Sequence, residues 1–143
     1  MTDRIRSDSP AVETIRATIA RSGGTYRPEV RLPSDRGDEL PAGVARVTID
    51  ATEYYTPVTD GSGTVALRGA YANARRARTR EGTDYLAEWT EDRGIEFGRS
   101  VLVDIVVPGE QFGLRAPGDE AIYEVRREPS TDLQDIARDL EGT

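Results

Sequence analysis

Cysteine, histidine and lysine are all absent from this chain of 143 residues. Without cysteine there is no disulfide framework and no thiolate metal site, and without histidine the commonest metal ligand and general base is lost as well. A serine or threonine nucleophile then has no histidine partner. We therefore assign no catalytic residue, no metal and no cofactor, and we lean towards a protein that is not an enzyme.

Long apolar runs are also missing. Residues 1–10 are charged and do not contain the apolar stretch of a signal peptide, and no segment approaches the ~20 apolar residues that a membrane-spanning helix needs. The sequence therefore predicts a cytoplasmic protein with no membrane partner.

The charge balance is acidic, with 26 Asp and Glu against 19 basic residues and a net charge of −7. All of the basic residues are arginine. A GC-rich genome explains the missing lysine but not the acidic excess, whereas a halophile explains both. We expect a protein that works in a very salty cell interior.

The first predicted element is a helix. Ser9 is a suitable N-cap, Pro10 suits the first turn, and Val12, Ile15 and Ile19 form an apolar stripe that ends near Arg21. The proline-rich stretch that follows predicts an irregular connection with a short strand at 30–32 at most.

From residue 44 onwards the apolar residues alternate, which predicts strands. The predicted strands are 44–49, 52–58 and 64–68, and then 100–107, 111–115 and 121–127 as a meander. Two short helices are predicted between these groups, at 70–80 and 84–93. Capping-box spacing and one apolar face predict a further amphipathic helix in the tail, within 129–143.

These elements predict an α+β fold with a mostly antiparallel sheet of about six strands, either open or curled into a partial barrel. Two short helices are inserted in the sheet, and one helix lies at each terminus. The predicted organisation is an N-terminal helix and arm at 1–24, a β-rich core domain at 25–128 and the C-terminal helix at 129–143.

One segment is strongly basic. Residues 68–80 contain five arginines and no acid, which leaves −12 on the rest of the chain. Because guanidinium groups suit bidentate contacts to phosphate, we predict a DNA- or RNA-binding or regulatory role for this segment. The candidate residues are Arg68, Tyr71, Asn73, Arg75, Arg76, Arg78 and Arg80. The alternative is that each arginine pairs with a neighbouring acid and only stabilises an acidic surface.

Arg115 is a secondary ligand candidate, because it lies where a predicted strand meets a turn. It could equally pair with Asp119 or Glu120. Asp104 interrupts an apolar run and is either partly buried, where an arginine partner would be needed, or on the wet face of the sheet.

Two other classes of function remain open. One is a protein-interaction or homo-oligomeric assembly module that docks through its terminal helices. The other is a small-molecule binder or an enzyme that uses Arg115, Asp104 and tyrosine side chains in a pocket at the mouth of the sheet.

Four motifs resemble those of a haloarchaeal family of unknown function over nearly the whole chain. They are Gly-Thr-Tyr-Arg-Pro at 24–28, Gly-Ala-Tyr-Ala-Asn-Ala-Arg at 69–75, Glu88-Trp89 and Gly-Leu-Arg-Ala-Pro-Gly at 113–118. The resemblance implies a halophilic archaeal source and no particular activity. The order of strands, small helices and strands is also similar to that of DNA-binding pseudobarrels, at the level of the fold only.

Overall fold

The computed structural model of the protein describes residues 2–21, 27–61 and 64–126. Within these residues the secondary structure is mostly β. The strands are β1 Thr2–Arg6, β2 Glu13–Arg21, β3 Pro28–Arg31, β4 Gly43–Ile49, β5 Thr52–Gly61, β6 Thr64–Leu67, β7 Ser100–Val107, β8 Gln111–Arg115 and β9 Ile122–Arg126. The helices are α1 Ala74–Thr79 and α2 Tyr85–Arg93, and a single 3-10 turn spans Gly37–Glu39.

Seven of the described strands close into a barrel in the order β2-β3-β6-β5-β4-β8-β7. Neighbouring strands are antiparallel at every junction except between β4 and β8, which run parallel. The barrel is closed because β2 pairs with β3 on one side and with β7 on the other. A closed barrel leaves no sheet edge exposed.

Alternating apolar side chains fill the barrel. On β2 the buried residues are Ile15, Ala17 and Ile19, and their neighbours in β2 are mostly exposed. The same alternation places Ala45, Val47, Ile49, Val101, Val103 and Ile105 in one hydrophobic cluster. Leu86 and Trp89 of α2 join this cluster from outside the strands. The interior is therefore a packed core and not a ligand cavity.

The two remaining strands form a separate ribbon on the outside of the barrel. β1 pairs antiparallel with β9 from Thr2↔Arg126 to Arg6↔Ile122, and β9 contacts β7 and β8. Tyr123 and Val125 of β9 are buried with Val106 of β7 in a second, smaller cluster. The ribbon therefore covers one part of the barrel wall.

The predicted α+β fold with about six strands and a partial barrel is wrong. The barrel is closed and has seven strands, because the segment predicted as the N-terminal helix is strand β2, β3 also joins the barrel, and β9 lies outside it. Ser9 and Pro10 are in a turn instead, where the Ser9 hydroxyl accepts a hydrogen bond from the Ala11 amide. Serine and proline favour such turns for the same reasons that they favour helix starts.

The predicted strands after residue 44 occur where the alternation placed them, but the predicted meander is wrong at its third strand. β9 leaves the barrel and pairs with β1 instead of β8. The short helices also occur, with α1 beginning at Ala74 instead of residue 70. The predicted helix at 129–143 lies outside the described residues. The domain boundaries at 24 and 128 stay predictions.

Candidate nucleic-acid interface

Helix α1 carries the centre of the arginine-rich segment. Its N-cap is Asn73, whose side-chain oxygen accepts a hydrogen bond from the Arg76 amide at 2.9 Å, as polar N-cap residues do. Ala77 is completely buried, and the helix contacts β4 and β5. It ends at Arg80, which adopts the left-handed conformation with φ 58°. One small apolar residue thus seats the helix against the barrel and leaves its other faces outward.

Three arginines of α1 have no carboxylate partner among the described residues. Arg75, Arg76 and Arg78 are exposed, and none of them forms an ion pair there. Arg75 and Arg78 are three residues apart and so lie on the same side of the helix. By contrast, Arg31, Arg36, Arg93 and Arg115 each bind a carboxylate. Within the described part of the chain, these three arginines are therefore cations without a neutralising carboxylate, on a protein that is acidic overall.

Arg68, the first arginine of the segment, is placed differently. Its Nε donates to Glu29 at 3.0 Å, and Glu29 also accepts from Nε of Arg31 at 2.6 Å. The Glu29 side chain is almost completely buried, with 4% exposed. A buried carboxylate needs such partners, so this pair of arginines stabilises the charge of Glu29.

Tyr71 and Asn73 hold the segment to the barrel. Tyr71 is completely buried, and its backbone exchanges two hydrogen bonds with that of Tyr55 in β5, at 2.8 and 2.9 Å. Asn73 is exposed and caps α1. The structure therefore places Arg75, Arg76 and Arg78 on the exposed part of α1, whereas Tyr71 is buried and Arg68 is paired with Glu29.

A shallow groove of about 320 Å³ lies between α1 and the barrel wall. Arg78 of α1 and Arg46 of β4 both line it, together with Tyr55 and Glu110. Arg46 donates from Nε to the backbone oxygen of Glu110 at 3.3 Å and lies 3.9 Å from the carboxylate of Glu53. Arg78 is therefore the guanidinium in this groove without a described ion-pair partner.

Arg115, the secondary ligand candidate, belongs to a hydrogen-bond network inside the protein. Its Nε and Nη2 donate to the two oxygens of Asp104 at 2.7 and 3.2 Å, and Nη1 donates to the backbone oxygen of Asp119 at 2.8 Å. Hydrogen bonding to Asp104 raises the pKa of Arg115 above its ordinary value. Asp104 is completely buried, so the wet-face alternative for this carboxylate is wrong.

Two further members of this network were not found from the sequence. Thr14 of β2 donates its hydroxyl to Asp104 at 2.6 Å, and Tyr123 of β9 donates to it at 2.5 Å. Burial, followed by the hydrogen bond to Asp104, raises the pKa of Tyr123 well above that of an ordinary tyrosine. The signal available in the sequence was the single acid in the apolar run 101–107. Nothing in the pattern indicated which donors would reach it.

The described residues contain no group of three or more acidic side chains placed to hold a metal ion. They also contain no helix that is long and apolar enough to cross a membrane.

Comparison with known sequences shows the family of the chain. The sequence profile described as "Family of unknown function (DUF7112)" matches residues 1–140, which is nearly its whole length. The chain belongs to this family. No curated protein matches it. The family of unknown function that the four motifs predicted is confirmed, the haloarchaeal source stays a prediction, and the description of the family assigns no activity. The function must therefore be argued from the side chains themselves.

Proposed function

We propose that this protein binds nucleic acid through α1 and acts as a non-enzymatic regulatory or nucleic-acid-associated protein. In this proposal Arg75, Arg76, Arg78 and Arg80 contact phosphates. The observation that supports it is the absence of carboxylate partners at Arg75, Arg76 and Arg78 among the described residues, on a chain whose net charge is −7. Three exposed guanidinium groups on one short helix, with no described carboxylate beside them, are available to an anionic ligand.

The chemistry of the guanidinium group fits a phosphate backbone. Each guanidinium presents a planar fork of N–H donors that matches two phosphate oxygens and keeps its charge at any physiological pH. Each phosphate neutralised in this way releases condensed counterions, which drives binding at low salt. Arg68 and Tyr71 then act as supports, because one is paired with Glu29 and the other is buried.

The salt of the cell limits how such a surface can work. We place the protein in a salt-rich cytoplasm, on the basis of its acidic excess and its lack of lysine. At molar salt the Debye length is about 3 Å, so the helix cannot attract DNA over a distance. Binding must come from direct contacts between guanidinium and phosphate groups, and the groove beside Arg78 gives room for one such contact.

The test is a titration with labelled double-stranded DNA, single-stranded DNA and RNA oligonucleotides, followed by fluorescence anisotropy over a KCl series. We expect the logarithm of the affinity to fall linearly with the logarithm of the KCl concentration. The variant R75A/R76A/R78A should bind at least ~10-fold more weakly, with a salt slope lower by about three, because each lost phosphate contact lowers the slope by about one.

The matched control is R4A/R6A/R21A. It removes the same number of charges from exposed arginines of β1 and β2, which belong to neither α1 nor its groove. It should bind nucleic acid like the unmodified protein, and circular dichroism should confirm that both variants are folded. The proposal fails if the protein binds none of the three nucleic acids at any KCl concentration at which it stays folded, or if both variants lose binding equally.

A further inference from the structure

A second basic groove lies away from α1, beside strand β2. It has a volume of about 520 Å³ and runs between β2 and the connection from α2 to β7. Arg16 of β2, Arg99 and Ser100 contribute its polar side chains, and Gly94 and Gly98 form part of its lining. None of the described acidic residues lines it. The groove was not indicated by any motif, because Arg16 and Arg99 are far apart in the chain.

Both arginines of this groove are exposed, and neither forms an ion pair with a described carboxylate. By contrast, Arg93, only six positions before Arg99, binds both Asp50 and Asp119. Both guanidinium groups line the same groove, so an anion placed there would be attracted by both charges.

The backbone holds the two arginines in a fixed relation. The amide of Ile19 donates to the Arg99 oxygen at 2.9 Å, and the Gly98 amide donates to the Ile19 oxygen at 2.7 Å. Arg99 is therefore tied to the same strand that carries Arg16. In the β2–β7 pairing Thr18 is opposite Ser100 and Arg16 is opposite Leu102, so Arg16 and Ser100 are diagonal neighbours on the outer face.

Two glycines lie in the connection that lines the groove. Gly94 and Gly98 have φ of +66° and +91°, a region that other residues rarely adopt, and a Cβ at either position would meet nothing within 4 Å. Their amides already donate to Glu91 and Ile19. The side-chain donors that remain for a ligand are therefore the two guanidinium groups and the hydroxyl of Ser100. The two glycines contribute only backbone to the lining of the groove.

We propose that this groove binds the phosphate group of a small phosphorylated molecule. A phosphate monoester has three terminal oxygens and a charge near −2 at neutral pH, and it matches two cationic forks and one hydroxyl donor. The groove is larger than a phosphate ion, which leaves room for an organic group beside Ile95. The ligand class is a phosphate ester, and free phosphate is the other source of the same chemistry.

This site is independent of the proposed nucleic-acid surface. In the barrel order, β2 is separated from β5 by β3 and β6, and from β4 by β7 and β8, whereas α1 contacts β4 and β5. A duplex seated on α1 would therefore lie on the other side of the barrel. Either proposal can fail without affecting the other.

The test is isothermal titration calorimetry at neutral pH in a phosphate-free KCl buffer, with inorganic phosphate, adenosine monophosphate and adenosine as three separate ligands. We expect adenosine monophosphate to bind with a Kd of about 1 mM or tighter and adenosine not to bind. R16A and R99A should each weaken binding at least ~10-fold, the effect of losing one charge-assisted contact. The affinity for inorganic phosphate shows which ligand the groove prefers. A site for a phosphate ester binds inorganic phosphate more weakly than adenosine monophosphate, whereas a site for free phosphate binds inorganic phosphate more tightly.

The matched control is R4A/R6A, which removes two exposed arginines from β1 and should leave the phosphate affinity unchanged. A thermal shift on adding the nucleotide should follow the calorimetry. The inference is overturned if neither phosphate nor the nucleotide binds, or if adenosine binds as well as the nucleotide. It is also overturned if the control weakens nucleotide binding as much as R16A or R99A does.

Discussion

At the scale of single residues, Asp104 shows how the protein keeps a carboxylate in its interior. The side chain is completely buried and accepts four hydrogen bonds, one from Thr14, two from Arg115 and one from Tyr123. A buried ion pair costs solvation free energy, and removing one partner typically destabilises a protein by about 3–5 kcal/mol. The four hydrogen bonds offset that cost. They also connect β2, β8 and β9 to one carboxylate on β7.

Tyr123 gives this network a dependence on alkaline pH. Burial and the bond to Asp104 raise its pKa in the folded state, whereas an unfolded tyrosine ionises at about pH 10. Above that pH the unfolded chain loses a proton that the folded chain keeps, so the free energy of unfolding falls as the pH rises. The stabilising contribution is complete below about pH 10.

We therefore expect Y123F to change both the level and the pH dependence of stability. At neutral pH the variant should lose about 1–3 kcal/mol, because Asp104 loses a buried donor. Between about pH 10 and 11 its stability should fall less steeply than that of the unmodified protein. Guanidinium chloride unfolding at several pH values measures both effects. Y85F is the control, because the Tyr85 hydroxyl forms no hydrogen bond with a described residue, and equal alkaline slopes for all three proteins would contradict the expectation.

At the scale of elements, the β1–β9 ribbon is held against the barrel by the fit between a glycine and a ring. Gly113 of β8 pairs with Asp104 of β7, and a Cβ at Gly113 would overlap the ring of Tyr123. The backbone φ of Gly113 is one that any residue can adopt. Glycine is needed here because it has no side chain in the space that the Tyr123 ring occupies. The glycine therefore lets β9 approach the wall closely enough for Tyr123 to reach Asp104.

G113A should consequently destabilise the protein by about 1–3 kcal/mol through overpacking. The same substitution should cost much less in the background of Y123L, because the smaller side chain leaves room for the new methyl group. A double-mutant cycle by urea unfolding gives the coupling free energy between the two positions. Costs that simply add would show that Gly113 and Tyr123 do not depend on each other.

The element that pattern reading assigned wrongly is β2. Val12, Ile15 and Ile19 fit a helical stripe, but Ile15, Ala17 and Ile19 fit an alternation equally well, and Ala17 is too small to weigh in a hydrophobic pattern. Short apolar runs are ambiguous in this way. The alternation decided the outcome because β3 and β7 both needed a partner strand to close the barrel.

At the scale of the whole molecule, the net charge of −7 is the main electrostatic property. Exposed ion pairs such as those of Arg6 and Arg93 contribute little to stability, and salt weakens them further. The repulsion among excess carboxylates is also screened, as the Debye length falls from about 10 Å at 0.1 M to about 3 Å at 1 M. The loss of repulsion among the carboxylates should outweigh the weakening of the ion pairs, so salt should stabilise the fold.

We expect the midpoint of thermal unfolding to rise between about 0.1 and 2 M KCl, with a gain of about 1 kcal/mol, or about 3 °C or more for a domain of this size. The variant E88Q/E91Q/D92N removes three exposed acids of α2 and should depend less on salt. Scanning calorimetry over the KCl series measures both proteins. A midpoint that falls steadily with KCl would show that ion pairs outweigh the acidic excess.

The sequence alone determined the strands after residue 44, because alternation and the turn dipeptides Pro108-Gly109 and Pro117-Gly118 are local properties. It also located the arginine-rich segment. Only the tertiary structure decided that residues 13–21 are a strand, that β9 pairs with β1, and which arginines lack a carboxylate partner among the described residues. Those outcomes depend on residues far apart in the chain, such as Arg68 with Glu29 or Asp104 with Thr14, 39 and 90 positions apart. No local pattern records such distances, since they are set by how the barrel closes.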